Sequence, residues 1–317
     1  MYYDRRVPPA LLDLLLPEAP LGWFLPWLRS PEAASAGAHV QTRRDRDGRR
    51  RGGLQIYLGR TSPLELRPLG RGGYRLHADT FYQSMTPAIF GTTWTEARLA
   101  DETSALQAHL TRAAERTHRS FLDGEAVAHA GLMRRYGPLA EAGMPLLALD
   151  SEARIGFDAL TDQQVFEADL RLRLGLPAGE ELPRKLDLVA LDSGGRLLLV
   201  EVKANATGLA RAAWQAAAHV ARFQALIERD SLWFHEALHG LAADKVRVGL
   251  LGGARVPALP ETPELVPVIA APEDRSDWAK AWRAEIAPVL AATGGWLGGL
   301  RLWRLSWDGA LLEDLAR

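Results

Sequence analysis

Two apolar runs near the middle of the chain, Lys185-Leu-Asp-Leu-Val-Ala-Leu191 and Leu197-Leu-Leu-Val-Glu-Val-Lys203, leave few folds open. Both have strand length, are partly β-branched, and are separated by Asp192-Ser-Gly-Gly195, a turn signal. They read as a hairpin, and apolarity on both faces puts it inside a sheet covered on both sides. A strand so buried should not hold charges. Yet Asp187 interrupts the first run, and Glu201 and Lys203 interrupt the second.

The two-residue period of a strand places Glu201 and Lys203 on one face. A loop over residues 192–196 pairs Leu191 with Leu197, and counting back sets Asp187 opposite Glu201. Opposed Cβ atoms in an antiparallel pair lie about 5 Å apart. Two ionised carboxylates that close repel strongly in a low-dielectric sheet. Lys203 offsets part of the repulsion. A hard divalent cation, which prefers oxygen ligands, offsets more. The pattern therefore predicts a metal site of two carboxylates with an ammonium beside it. Residue usage adds to this: of 38 basic residues only four are lysines, Lys185, Lys203, Lys245 and Lys280. Lysine at 203, in a chain that otherwise writes arginine, points to a compact, deprotonatable ammonium rather than a guanidinium fork.

An Asp, about a dozen residues ending in an apolar run, and then Glu-x-Lys resembles the PD-(D/E)xK nuclease superfamily, with Asp187, Glu201 and Lys203 as the matching residues. Leu186 stands where the motif name has Pro. The resemblance covers the hairpin and the helix after it. It implies an α/β, restriction-endonuclease-like fold, a mixed central sheet flanked by helices on an α-β-β-β-α-β core. It also implies a divalent-metal-dependent nuclease. Asp187 and Glu201, with the main-chain carbonyl of Val202, would hold Mg²⁺ or Mn²⁺, and Lys203 would position or activate the attacking water. A helix following Glu-x-Lys often carries a Gln that faces the site. In the Ala-rich helical stretch 209–229, Gln215 falls there, with His219 one turn later. The expected products carry a 5′-phosphate and a 3′-hydroxyl, and DNA is expected as substrate ahead of RNA. An acidic residue on the first core helix often assists the metal in that family. Glu125 and Glu167 compete for the place, and Glu125 is favoured because three strands fit between it and the second helix, whereas only about twenty residues separate Glu167 from Asp187.

A second motif points elsewhere. His235-Glu-Ala-Leu-His239 fits H-E-x-x-H, which on a helix presents two imidazoles on one face with Glu236 as a general base, the pattern of a zinc metallopeptidase. A catalytic zinc needs a third protein ligand, and the downstream acids Glu261 and Glu264 lie in a Pro-rich loop. A third reading is a catalytically inert nuclease-like protein that only holds nucleic acid or a partner.

The chain has a net charge of −1 and no Cys. Disulfides and thiolate metal sites are therefore excluded, and no global charge recruits a polyanion. Nucleic-acid binding needs a local patch, and Arg43, Arg44, Arg49, Arg50 and Arg51 supply a candidate. No apolar run reaches membrane-spanning length and no signal-peptide pattern opens the chain, so a cytoplasmic location is expected. A homodimer or a complex with a partner stays open. Strand-like runs at 54–58, 64–69 and 74–77 predict a β-meander, followed by a helix over 95–119. These make an N-terminal domain, residues 1–118, expected to recognise substrate or partner, ahead of the nuclease-like domain at 119–317. Within the latter, helices are predicted at 120–136 and 276–290, and strands at 145–149, 246–251, 265–269 and 300–307. Residues 165–174 fit a helix, though 170–174 also alternate like a strand.

Overall fold

The computed structural model describes residues 1–3, 5, 7–43, 52–70, 72–117, 124–176, 181–204, 209–272, 278–293 and 295–314. Short helices α1 (Pro9–Asp13), α2 (Phe24–Leu28) and α3 (Pro31–Ser35) lead into strands β1 (Ala38–Arg43), β2 (Gly53–Leu58), β3 (Thr61–Pro68) and β4 (Tyr74–His77). Then come α4 (Thr80–Met85), β5 (Thr93–Trp94), α5 (Glu96–Asp101) and α6 (Thr103–Arg116). The five strands form one antiparallel sheet in sequence order, so the meander is longer by a strand at each end than the sequence predicts. The helix expected over 95–119 is two. Thr95 caps α5 by accepting the Arg98 N–H, and the helix breaks at Glu102 before α6 resumes.

The second half of the chain builds a six-stranded mixed sheet. Its elements are α7 (Gly124–Arg135), β6 (Leu146–Ala153), α8 (Leu160–Leu174), β7 (Leu186–Asp192), β8 (Leu197–Val202), α9 (Leu209–Arg229), α10 (Ser231–Arg247), β9 (Leu265–Pro272), α11 (Trp278–Ala292), β10 (Arg301–Leu305) and β11 (Leu311–Asp314). The strand order is β11-β10-β9-β8-β7-β6. The β6–β7 and β7–β8 pairs are antiparallel, whereas β8–β9 and β9–β10 are parallel. The β7–β8 hairpin is therefore interior, as its apolar runs predict. Asp192 ties its loop: Oδ1 accepts the N–H groups of Gly194 and Arg196 at 2.9 and 3.0 Å.

The strand period sorts the hairpin side chains onto two cores. Leu188, Ala190, Leu198, Val200 and Val202 pack with Ala128, Leu132 and Met133 of α7. Val189, Leu191, Leu197 and Leu199 pack with Val220 and Phe223 of α9 and Phe234 of α10. Six buried alanines of α9, Ala212, Ala213, Ala216, Ala217, Ala218 and Ala221, bring its backbone close to β9.

In two segments the structure decides against a strand reading. Residues 246–251 are not a strand: Leu238, Leu241, Ala242 and Lys245 are buried at helical spacing and carry α10 through Arg247. Gly249 then takes φ of 77°, which an extended run cannot hold. Residues 170–174 are helical, with Leu170 and Leu174 buried one turn apart against α9. The predicted break between units at residue 118 falls outside the described residues, and the two units share chain on either side of it. Val248 and Leu250 fill the N-terminal core. Tyr3 lies among Phe223 and Phe234, and its hydroxyl donates to the buried Asp150 at 2.9 Å. Among the described residues no helix is long and apolar enough to cross a membrane.

Leu199 is fully buried. Leu199→Ala should cost about 2–5 kcal/mol in denaturant unfolding. Leu172 on α8 is 82 % exposed, and Leu172→Ala should stay within about 0.5 kcal/mol of the parent.

Candidate active site

β7 and β8 meet in the predicted register. Leu191 opposes Leu197, and the ladder runs to Leu188 opposite Val200. One step further, Asp187 and Glu201 come opposite each other, and side chains take over from the main-chain ladder. Asp187 Oδ2 accepts the Val202 N–H at 2.8 Å. The Asp187 carbonyl accepts a hydrogen bond from His129 Nε2 of α7 at 2.9 Å. Because the N–H and C=O of one strand residue point to the same side, the Val202 carbonyl also faces the Asp187 side of β8. Lys203 sets its Nζ 2.7 Å from Glu201 Oε1.

Glu201 shares a strand face with Leu197 and Leu199, the face that α9 covers. From α9, His219 brings Nε2 to 3.9 Å from Glu201 Oε2. Gln215 lies one turn earlier on the same helix face. Three buried polar atoms here have no hydrogen-bond partner among the described residues: Glu201 Oε2, Gln215 Oε1 and His219 Nε2. Buried polar atoms are seldom left so, because each costs its full desolvation.

The charges are unbalanced in the same direction. Burial, and then the neighbouring Asp187, push the Glu201 carboxyl up to about 8. Burial also raises Asp187, against the pull of Lys203 and the Val202 N–H. Lys203 is raised overall, because Glu201 and Asp187 outweigh the burial that works against its charge. It is therefore held as an ammonium, not as the deprotonatable amine its residue type suggests. Burial drops His219 to about 3, so its ring is neutral at any working pH. Two carboxylates thus share one ammonium, and the pair keeps a proton at neutral pH unless another cation arrives.

Among the described residues no group of three or more His, Cys, Asp or Glu side chains converges as a metal cage. The donor set is smaller: the Asp187 and Glu201 carboxylates and the Val202 carbonyl. All are oxygens, which suits a hard cation such as Mg²⁺ or Mn²⁺. The unpartnered Glu201 Oε2 fits such an ion.

Of the other candidates, Glu125 is the acid near this site. It sits in the first turn of α7, and its charge raises both Glu201 and Lys203. Glu167 sits on α8, an extra helix between β6 and β7, and pairs with Arg222 at 3.1 Å. His235 and His239 stack on α10 with ring centroids 6.0 Å apart. However, His235 Nε2 is engaged by the Leu259 carbonyl at 3.1 Å, and no third side-chain ligand joins them among the described residues. Arg43 ends β1 opposite Gly53, and its side chain, like Arg44, Arg49, Arg50 and Arg51, lies outside the described residues.

Sequence reasoning missed two contributors. His129 fixes the main chain of Asp187, and Arg60, in the β2–β3 turn, pairs with Glu125 at 2.8 Å. His129 reaches the hairpin and Arg60 reaches α7 from distant stretches of chain, and no local spacing marks either one. Compared with known protein families, curated proteins and solved structures, the chain matches none.

Glu201 gives the site a pH signature. Between about pH 4.5 and 8 the folded state holds a proton that the unfolded chain has released, so stability falls as pH rises through that window. In EDTA, the wild-type melting temperature should drop between pH 5 and 8 by at least about 2 °C more than that of Glu201→Gln. Parallel melting curves for the two proteins would refute the buried proton.

Proposed function

We propose that the chain is a divalent-metal-dependent phosphodiester hydrolase of the PD-(D/E)xK, restriction-endonuclease-like class, a cytoplasmic nuclease acting on DNA rather than RNA. One observation carries the reading. Asp187 and Glu201 converge from adjacent interior strands, with Lys203 Nζ 2.7 Å from Glu201 and Glu201 Oε2 buried without a partner among the described residues. The element order supports it too: α7, β6, β7, β8, α9 and β9 follow an α-β-β-β-α-β sequence with α8 and α10 inserted.

In this reading Asp187, Glu201 and the Val202 carbonyl hold Mg²⁺ or Mn²⁺. A bound ion would polarise a scissile phosphodiester and lower the pKa of its water. Lys203 keeps its proton and stands as a fixed positive charge for the anionic transition state. Gln215 and His219 offer an unpartnered oxygen and a neutral nitrogen from α9 to order the same pocket. Glu125 adds negative charge at its rim.

Incubating the purified chain with plasmid, linear DNA and RNA in MgCl₂ or MnCl₂, with EDTA as control, tests this. Cleavage of DNA should require the metal. Asp187→Ala, Glu201→Ala and Lys203→Ala should each lower it by at least about 10²-fold, while His235→Ala and His239→Ala stay near wild type. DNA binding without cleavage under any divalent metal would replace the enzyme with an inert binder. Zinc-dependent peptide hydrolysis lost in the histidine variants would install the peptidase instead.

Metal binding should also follow pH. The ion displaces the proton held by the carboxylate pair, so Mn²⁺ affinity by calorimetry should rise from pH 6 to 8. It should be lost in Glu201→Gln.

A further inference from the structure

We propose that His219 is a nitrogen ligand of the ion that Glu201 holds, so that the site takes a first-row transition-metal ion in preference to Mg²⁺. The proposal rests on the nuclease reading and names the class of metal for that site.

The geometry starts from β8. Glu201 gives one carboxylate oxygen to Lys203, whose Nζ lies 2.7 Å from Oε1. The other oxygen, Oε2, is buried without a partner among the described residues, and His219 Nε2 stands 3.9 Å from it. Both side chains are only 4 % exposed. At that distance no hydrogen bond joins them.

The other ring nitrogen is engaged. His219 hydrogen-bonds the main chain of Lys185, just before β7, in a contact that favours the charged ring and is therefore made to the carbonyl. Nε2 has no partner among the described residues, so Nδ1–H makes that bond. In the neutral ring this tautomer leaves the lone pair on Nε2, the atom nearest Glu201 Oε2. A histidine that ligates a metal characteristically donates its other N–H to a carbonyl or carboxylate, which fixes the ring. Gln215 Oε1, one turn earlier on the same face of α9, is a further buried acceptor without a donor among the described residues.

Buried acceptors that share no donor are the lining a cation needs. Two ligand bonds of about 2.1 Å reach about 4.2 Å, so one ion can touch Glu201 Oε2 and His219 Nε2 together. The side chains converge in pairs and not as a closed cage: Asp187 with Glu201, and Glu201 with His219. Glu201 is common to both pairs. Carboxylate and carbonyl oxygens alone suit Mg²⁺, whereas an imidazole nitrogen shifts the preference toward first-row ions, more strongly for Co²⁺ than for Mn²⁺. The rival occupant is an ordered water, which would donate to the same acceptors.

Electron spin-echo spectroscopy of bound Mn²⁺ separates the two. It is run on the wild type and on a His235→Ala/His239→Ala protein, which lacks the α10 imidazoles. Modulation from a directly bound imidazole nitrogen should appear in both, change its pattern when the histidines carry ¹⁵N, and vanish in His219→Gln. By calorimetry, His219→Gln in the same background should lower Co²⁺ affinity at least about 10-fold and Mg²⁺ affinity less than about 3-fold, because an amide oxygen replaces the nitrogen. The ¹⁵N measurement needs no substitution at 219, so a misfolded His219→Gln leaves the test intact. Mn²⁺ that binds, and is lost in Glu201→Gln, without histidine modulation would overturn the assignment, put water between the two side chains and leave the nuclease reading standing. Modulation that disappears with His235 and His239, or survives in folded His219→Gln, would assign the nitrogen to another histidine. Absence of any Mn²⁺ binding would remove the metal site itself, and this ligand with it.

Discussion

Two carboxylates on adjacent interior strands, Glu201 buried and Asp187 part-buried, with one ammonium paired to Glu201, set the terms for everything around them. Taking Asp187 and Glu201 out of water raises both, and the charge of Asp187 raises Glu201 further. A chain optimised only for stability would place leucines there, since isosteric apolar pairs are often at least as stable. The surroundings look arranged to hold the defect, not to cure it. The Val202 N–H and Lys203 each satisfy one carboxylate oxygen, while Glu201 Oε2 is left bare. Local rules are broken where function is concentrated, and the rest of the sheet compensates through dense apolar packing on both faces.

The hairpin was legible because its information is local. Period-two apolarity, a five-residue loop with Gly194 and Gly195, and charges at fixed offsets determine the register, and the observed pairing follows it. The Ala-rich α9 was legible for the same reason. Residues 246–251 were not, because Val246, Val248, Leu250 and Leu251 imitate a strand while the preceding turns of α10 and Gly249 decide otherwise. β1 and β5 were also missed, since one lies beside the Arg-rich stretch and the other is two residues long. The site residues divide in the same way. Asp187, Glu201 and Lys203 lie within one hairpin, whereas His129 and Arg60 arrive through tertiary docking that no spacing encodes.

Lys203 shows how residue type and environment differ as evidence. As a rare lysine in an arginine-rich chain, it suggested an amine able to lose its proton. Surrounded by two acids, it is instead held charged. His219 moves the other way: a residue able to carry charge near neutrality is kept neutral by burial and by Arg222. On α9, the neutral side chains of Gln215 and His219 thus face the charges of the hairpin, with the charged Arg222 three residues beyond His219.

The crossing of chain between the two units has a consequence for assembly. The hydroxyl of Tyr3 bonds to Asp150, a partner 147 positions away, and its ring packs on Phe223 and Phe234, which are synthesised later still. Arg5 bonds the same acid. Meanwhile Leu11, Leu12 and Leu15 close onto the N-terminal core with Val248 and Leu250, contributed from beyond α10. Contacts of such long sequence separation form slowly, since loop-closure entropy must be met before they repay it. Neither half can finish its core before the other exists, so the two should mature as one cooperative body in which the segment around Tyr3 is among the last to be fastened.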